Sequence, residues 1–404
     1  MNARVAMKHS CLYPTRNIAD EGSRCNMEYV DLAAQYKALK HDIDRNIQKV
    51  LTEGNFIMGP EVAELERKLA EYAGTKYCIG VANGTDALEM ALMAWGIGPG
   101  DAVFVPSFTF VSTAEVVELV HATPVFTDID GRTFNMDPAS LREAILRVKQ
   151  EGKLVPRVIV TVDLFGLSAD YPAIRAIADE FDLLILEDGA QGFGGSINKQ
   201  RVGSFGDIST TSFFPAKPLG CYGDGGAIFT DNDEHFKILS SIRVHGKGSD
   251  KYDNVRTGLN SRLDTLQAAI LLPKLEAFED YELDKRNELA NFYDAEISDK
   301  LVKPLVPNGY YSSWAQYSLI APSQEARTAI MAHLSEAGVP TNVYYRTPLH
   351  EQTVYAYLGY QVSDFPVSAD ISRRVFSIPM HPYMTAEDRD KIVHVLNEAI
   401  EKFA

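Results

Sequence analysis

Cysteine is scarce in this 404-residue chain: Cys11, Cys25, Cys78 and Cys221 are the only four, and no two of them stand at a paired metal-ligand spacing. Neither a disulfide framework nor a structural zinc site is written into the sequence, and a reducing cytoplasm fits best. Positive charge is short as well. Against 55 acidic residues stand 39 Lys and Arg, a formal charge of -16, so no basic field exists to grip a nucleic-acid backbone or an anionic membrane. Any phosphate must be held locally. Apolar runs stop short of membrane-spanning length, and the first 26 residues, MNARVAMKHSCLYPTRNIADEGSRCN, lack the continuous apolar stretch of a secretion signal. That leader is polar and aperiodic and reads as disordered, with Met27 as an alternative start. Two phosphate signatures are also missing. No glycine-rich loop ends in Gly-Lys-Ser/Thr, and no Gly-x-Gly-x-x-Gly follows a predicted strand, which sets aside Walker nucleotide hydrolysis and nicotinamide chemistry.

What is present is enough apolar content, 46%, to bury a large core. From Met27 onward helical and strand patterns alternate. EVAELERKLAEYAG and TDALEMALMAWGI carry apolar residues at helical spacing. KYCIGVAN is a short strand, and DAVFVPSFTF, PRVIVTVDLFG and DLLILEDGAQ are apolar, β-branched runs of the kind buried on both faces of a mostly parallel sheet. The fold class is therefore α/β. A long helical stretch from about Ser261 to Ile297 leads to a smaller α+β unit marked by WAQYSLIAP, RTAIMAHLSEAGV and DKIVHVLNEAIEKF. The expected division is a leader over 1–26, a large domain over 27–284 and a small domain over 285–404.

Ligands of an open parallel sheet gather at the carboxyl ends of its strands. Three such ends carry chemistry. In VANGTDAL, Gly84 and Thr85 stand at the start of a helix whose N–H groups favour an anion, although the same stretch is also an ordinary turn capped by Thr85 or Asp86. In LLILEDGAQGFGG, Asp188 follows four apolar residues, where an ionised carboxylate is costly without a partner, and Gln191 lies three residues on. Glu187 should point to the opposite side. In TTSFFPAKPLGCYGDGG, Lys217 sits five residues after Ser212 among Phe213, Phe214, Pro215 and Pro218. Lysines are mostly solvated, but these neighbours argue for a fixed, partly desolvated amine, which is what a nucleophile needs. A helix-end anion site, a strand-end acid and a buried amine together suit pyridoxal phosphate.

The chain from Met27 to its end resembles the DegT/DnrJ sugar aminotransferases through FIMGPEVAELE, VANGTDALEMAL, VFVPSFTFVSTAEVV, PVFTDID, ILEDGAQGFGG, SFFPAKPLGCYGDGGAIFT and GLNSRLDTLQAAIL. The resemblance implies a pyridoxal-phosphate enzyme of fold type I, dimeric with shared active sites. It implies Lys217 as the Schiff-base and proton-shuttling lysine, Asp188 against the ring nitrogen and Gln191 near the phenolic oxygen. Gly84, Thr85 and Ser212 would bind phosphate, Asn260 would reach in from the neighbouring subunit, and Phe110 would stack on the ring, the alternative for Phe110 being core packing. Arg262 would meet a sugar carboxylate or form a salt bridge. One departure stands out in VYYRTPLHEQ, where relatives carry His-Tyr-Pro and this chain has Tyr344, Tyr345 and Arg346. Tyr345 and His350 are candidates for substrate contact or for lining the domain interface. The resemblance points to amination of carbon 3 of UDP-2-acetamido-2-deoxy-3-oxo-glucuronate by glutamate, for bacterial surface polysaccharide. Amination of another keto-deoxy sugar at carbon 3 or 4 is the second reading, and a non-catalytic sugar-nucleotide sensor is the reading from another class.

Overall fold

The computed structural model describes residues 27–250 and 252–404, so the polar leader lies outside the described residues. Strands β1 (Tyr77–Val81), β2 (Asp101–Pro106), β3 (Thr123–Thr127), β4 (Val155–Val162) and β5 (Leu184–Asp188) follow in turn, mostly with helices between them. Two short strands, β6 (Ser196–Ile197) and β7 (Gln200–Arg201), precede β8 (Ile208–Ser212) and β9 (Gly226–Thr230). The seven longer strands form one sheet in the order β1-β9-β8-β5-β4-β2-β3. Pairings from β3 to β8 are parallel, and β9 runs antiparallel to both β8 and β1.

The sheet is covered on both faces, and the period-two geometry of a strand explains the unbroken apolar runs. In β2, Val103 and Val105 enter one core with the helix Gly84–Ala94, while Ala102 and Phe104 enter a second core with the helix Pro138–Glu151. Burying each such side chain fully is worth roughly 1.5–3 kcal/mol, so neither face tolerates a polar residue cheaply.

The last third of the chain adds β10 (Tyr310–Tyr311), which pairs with β6, and β11 (Tyr317–Ile320) antiparallel to β12 (Val375–Ile378). The β11–β12 pair packs with the helices Gln324–Glu336 and Ala386–Phe403 around its own core, which includes Tyr317, Ile330, Phe376 and Leu396. The connecting helix starts later than its sequence suggests. It runs as Thr265–Ala277, a π-turn over Phe278–Glu282, and Leu283–Glu296. Residues 261–264 stay extended because the Ser261 N–H is taken by Arg243 O and Asp264 forms a bridge with Ile57. Lys285 lies inside the helix Leu283–Glu296. Among the described residues no helix is long and apolar enough to cross a membrane.

Candidate active site

The carboxyl end of β5 sets two acids on opposite faces. Glu187 turns into the protein, where its Oε atoms accept from the N–H groups of Gly203 and Phe205 at 2.7 and 2.8 Å and from Ser209 Oγ at 2.6 Å. Asp188 turns the other way. It is 5% exposed, and its carboxylate accepts from Thr113 Oγ1 at 3.0 Å and from the Ala190 N–H at 3.2 Å. Burial pushes the Asp188 carboxyl up from its ordinary range, and the Lys217 cation, the Ala190 N–H and the Thr113 hydroxyl push back. Thr113 was not singled out in the sequence. It opens the helix Ser112–Leu119, where a threonine reads as a cap, and only the sheet brings it beneath Asp188.

Lys217 sits in a tight turn after β8. Its N–H donates to Phe214 O at 2.8 Å, and the Cys221 N–H returns to Phe213 O at 2.8 Å. Phe213 is buried beneath the turn, and the lysine itself is half-buried. Burial pulls the Lys217 amine below its ordinary pKa, and the nearby Asp188 carboxylate opposes that shift. The two residues thus act on each other electrostatically, although no ion pair joins them among the described residues.

Glycine at position 84 is required by close packing. A Cβ there would lie 2.7 Å from Ser212 Cβ, so the first turn of the helix Gly84–Ala94 rests against the end of β8. The cap of this helix is neither Thr85 nor Asp86. Asn83 fills that position, its side chain accepting from the Asp86 N–H at 2.8 Å, because Asn83 has the extended backbone a cap needs while Thr85 and Asp86 are already helical. The N–H groups of Gly84 and Thr85 open the helix and so have no intrahelical acceptor, and Gly84 lies against Ser212.

Gln191 Oε1 accepts from the Phe165 N–H at 2.9 Å, and its Nε2 donates to Tyr345 OH at 3.0 Å. Burial pushes the Tyr345 phenol up. Phe110, on the loop after β2, is 51% exposed with its ring centroid 6.3 Å from that of Tyr345, so it is not part of the core.

His350 does not join this group. Its side chain is fully buried, with Nδ1 2.5 Å from Ser107 Oγ and the ring packed 4.8 Å from that of Phe365. The side chain is enclosed by these neighbours and, among the described residues, bonds to neither Asp188 nor Lys217. Arg262 hydrogen-bonds Asn260 Oδ1, and Asn260 is exposed on the surface. Within one chain, neither side chain bonds to Asp188 or Lys217 among the described residues.

The geometry therefore gathers a carboxylate, an amine, a hydroxyl and free helix-end N–H groups at one end of a sheet. Residues 37–397 match the model of the DegT/DnrJ/EryC1/StrS aminotransferase family. The UDP-2-acetamido-2-deoxy-3-oxo-D-glucuronate aminotransferase of Pseudomonas aeruginosa is 46% identical over 361 residues, covering 89% of this chain and 96% of that protein. A crystal structure of a DegT DnrJ EryC1 StrS aminotransferase from Brucella abortus superposes with a TM-score of 0.89 at 49% identity, over 92% of this chain and 99% of that one. NtdA of Bacillus subtilis, solved with bound cofactor PMP, has a TM-score of 0.85 at 30% identity, covering 94% of this chain and 86% of its own.

Proposed function

The chain belongs to the DegT/DnrJ/EryC1/StrS aminotransferase family, and on that premise we propose that it moves an amino group from glutamate to carbon 3 of UDP-2-acetamido-2-deoxy-3-oxo-glucuronate. The product would supply diamino-uronic acid units of bacterial surface polysaccharide, and the reaction is placed in the cytoplasm. The near-full-length identity with the Pseudomonas aeruginosa enzyme supports this choice of sugar. The observation that carries the chemistry is that Asp188, at the carboxyl end of β5, and Lys217, in the turn after the neighbouring strand β8, act on each other electrostatically.

The residues present fit pyridoxal phosphate, since the Gly84–Ser212 approach builds an anion seat, and a carboxylate and an amine that act on each other stand at the same strand ends. When bound, that cofactor supplies an electron sink through which an amino group leaves one carbon skeleton and joins another. In this reading, Ser212 Oγ and the N–H groups of Gly84 and Thr85 hold phosphate. Thr113 and Ala190 fix the Asp188 carboxylate so that it stays ionised beside a cationic nitrogen. The Phe165 N–H orients Gln191, and Phe110 covers a flat ring from the exposed side. Lys217 Nζ, whose pKa burial lowers, takes a proton and returns it.

A panel of UDP- and dTDP-linked keto sugars, each assayed with glutamate, tests the reading. The 3-oxo-glucuronate should be aminated with the highest kcat/KM. Faster use of a neutral keto sugar would move the assignment to that sugar, and absence of turnover with every sugar would favour the sensor.

The substrate's acid group needs a local cation in so acidic a protein, and Arg262 is the residue proposed to supply it across the dimer. An arginine fork matches a carboxylate with two parallel hydrogen bonds. Arg262→Lys should therefore weaken use of the uronate by roughly 1.5–3 kcal/mol, the range for hydrogen bonds to charged groups. The matching 6-hydroxy sugar should be used as before. Equal losses on both sugars would make Arg262 a support for Asn260 alone.

The homodimer is proposed from the same region. Phe56, Ile57 and Met58 are 46%, 54% and 43% exposed, three large apolar neighbours in a row, and Ile57 pairs with Asp264 beside the Asn260–Arg262 segment. In a two-fold dimer the same patch serves both subunits, so a substitution at Ile57 enters the interface twice. Ile57→Asp should raise the dimer dissociation constant by at least tenfold, about 1.4 kcal/mol, with activity falling in step. Sedimentation equilibrium reads the first and turnover at matched concentrations the second; an unshifted dimer would place the interface elsewhere.

A further inference from the structure

The helix Thr265–Ala277 grips the loop that follows Lys217 at two points. Gln267 Oε1 accepts from the Tyr222 N–H at 2.9 Å. Seven residues on, two turns along the same face, Lys274 is fully buried and its Nζ donates to the Gly220 carbonyl while lying 4.5 Å from the centroid of the Tyr222 ring. Among the described residues no carboxylate pairs with this ammonium. Burial pulls its pKa down to about 8, against the opposing charge of Glu282. An ammonium held on a carbonyl and a ring face is expensive to bury, and an apolar chain of the same length would pack there at less cost. Stability alone does not account for it.

The carbonyl that Lys274 holds is the closing point of the lysine turn. Gly220 comes so near the start of that turn that a Cβ would lie 2.5 Å from Pro215 O and 2.7 Å from Phe214 O. The next residue closes the turn through the bond from the Cys221 N–H to Phe213 O. Lys217 stands at the middle of this closed turn, and the bonds from its own N–H to Phe214 O, from the Phe214 N–H to Ser212 Oγ and from the Cys221 N–H and Sγ to Phe213 O lie within residues 212–221 and set its shape. The helix Thr265–Ala277 therefore supplies the outside reference, and it does so through Lys274 and Gln267.

We propose that Lys274, assisted by Gln267, is a positioning residue that fixes the Gly220–Tyr222 end of the turn and so aims the Lys217 amine at Asp188. The inference rests on the reading of Lys217 as the residue that bonds the cofactor. A misplacement of about 1 Å at a reacting group costs on the order of 100-fold in rate. Lys274→Met should thus lower kcat by roughly 10- to 100-fold while the KM for glutamate changes little, the pattern of lost alignment without lost binding.

The test uses full-length enzyme, as wild type, Lys274→Met and Gln267→Leu. Cofactor is removed and pyridoxal phosphate added back. Three quantities are read: melting temperature before the addition, the rate at which the visible band returns, and the residue labelled by borohydride. Lys274→Met is expected to melt no lower than wild type and yet to capture cofactor at Lys217 at least tenfold more slowly. Gln267→Leu should slow capture in the same direction by less, and it decides the matter should the methionine variant not fold. Capture at the wild-type rate, or a loss of capture that only follows a lowered melting temperature, would overturn the inference. Labelling of wild-type enzyme at a residue other than Lys217 would instead overturn the reading of Lys217 itself.

Discussion

Lys217→Ala is expected to lower turnover by roughly 10⁴-fold, the upper end of what a positioned acid–base side chain contributes, and to leave no residue that borohydride fixes to the cofactor. The expectation follows from where the amine sits. Lys217 is half-buried in a turn over Phe213, and burial lowers its pKa, so more of it is in the neutral form that attacks a carbonyl or takes a proton. The Asp188 carboxylate opposes that shift and favours the protonated form, so the same residue pair holds the amine both as a base and as an acid. Lys217→Arg is the sharper control. It keeps a cation opposite Asp188, but a guanidinium does not deprotonate in a protein, so it should be as inactive as alanine. Wild-type enzyme should be yellow and lose its visible band on borohydride reduction, with the label at Lys217 by peptide mass. Turnover within tenfold of wild type in either variant would exclude Lys217 from proton transfer.

The sequence made some of this site readable and hid the rest for physical reasons. Asp188 was visible because four apolar residues precede it, and an acid at the end of a buried strand has few inexpensive explanations. Lys217 was visible because aromatic and proline neighbours give an amine no easy exit to solvent. The alternating apolar runs revealed the parallel sheet, since only a strand covered on both faces is apolar throughout. Thr113 stayed hidden because its partner is 75 residues away and its own position looks like a helix cap. The enclosure of His350 stayed hidden for the same reason, its partner Ser107 being 243 residues distant. The late start of the helix at Thr265 is set by pairing of Asp264 with Ile57 and of Asn260 with Val244, contacts that no local propensity encodes. Lys274 lay within TLQAAILLPKLEA, where a lone lysine reads as the solvated side of a helix; yet Ala268 through Leu275 are all buried, leaving no such side.

Asp188→Asn should separate holding the cofactor from using it. Lys217 is untouched, so the protein should still turn yellow and still be labelled by borohydride at that residue. Turnover should nevertheless fall by roughly 10³-fold. Opposite charges about 4 Å apart at an effective dielectric near 20 are worth about 4 kcal/mol, or about three pKa units, and asparagine removes that preference for a cationic partner. Without cofactor the sign reverses. The Asp188 carboxyl is held above its ordinary range by burial, so the folded state binds its proton more tightly than the unfolded chain does. Stability is then lost as pH rises from the unfolded value near 3.9 through the folded one, and asparagine escapes that loss. The variant freed of cofactor should therefore be at least as resistant to urea as wild type at pH 7, and its relative advantage should shrink as pH falls toward 4. Urea midpoints at the two pH values, set beside turnover of the loaded enzymes, decide the question. Near-normal turnover with a lowered midpoint at pH 7 would make Asp188 a structural acid like Glu187 on the opposite face, and would leave the site without the anion its chemistry requires.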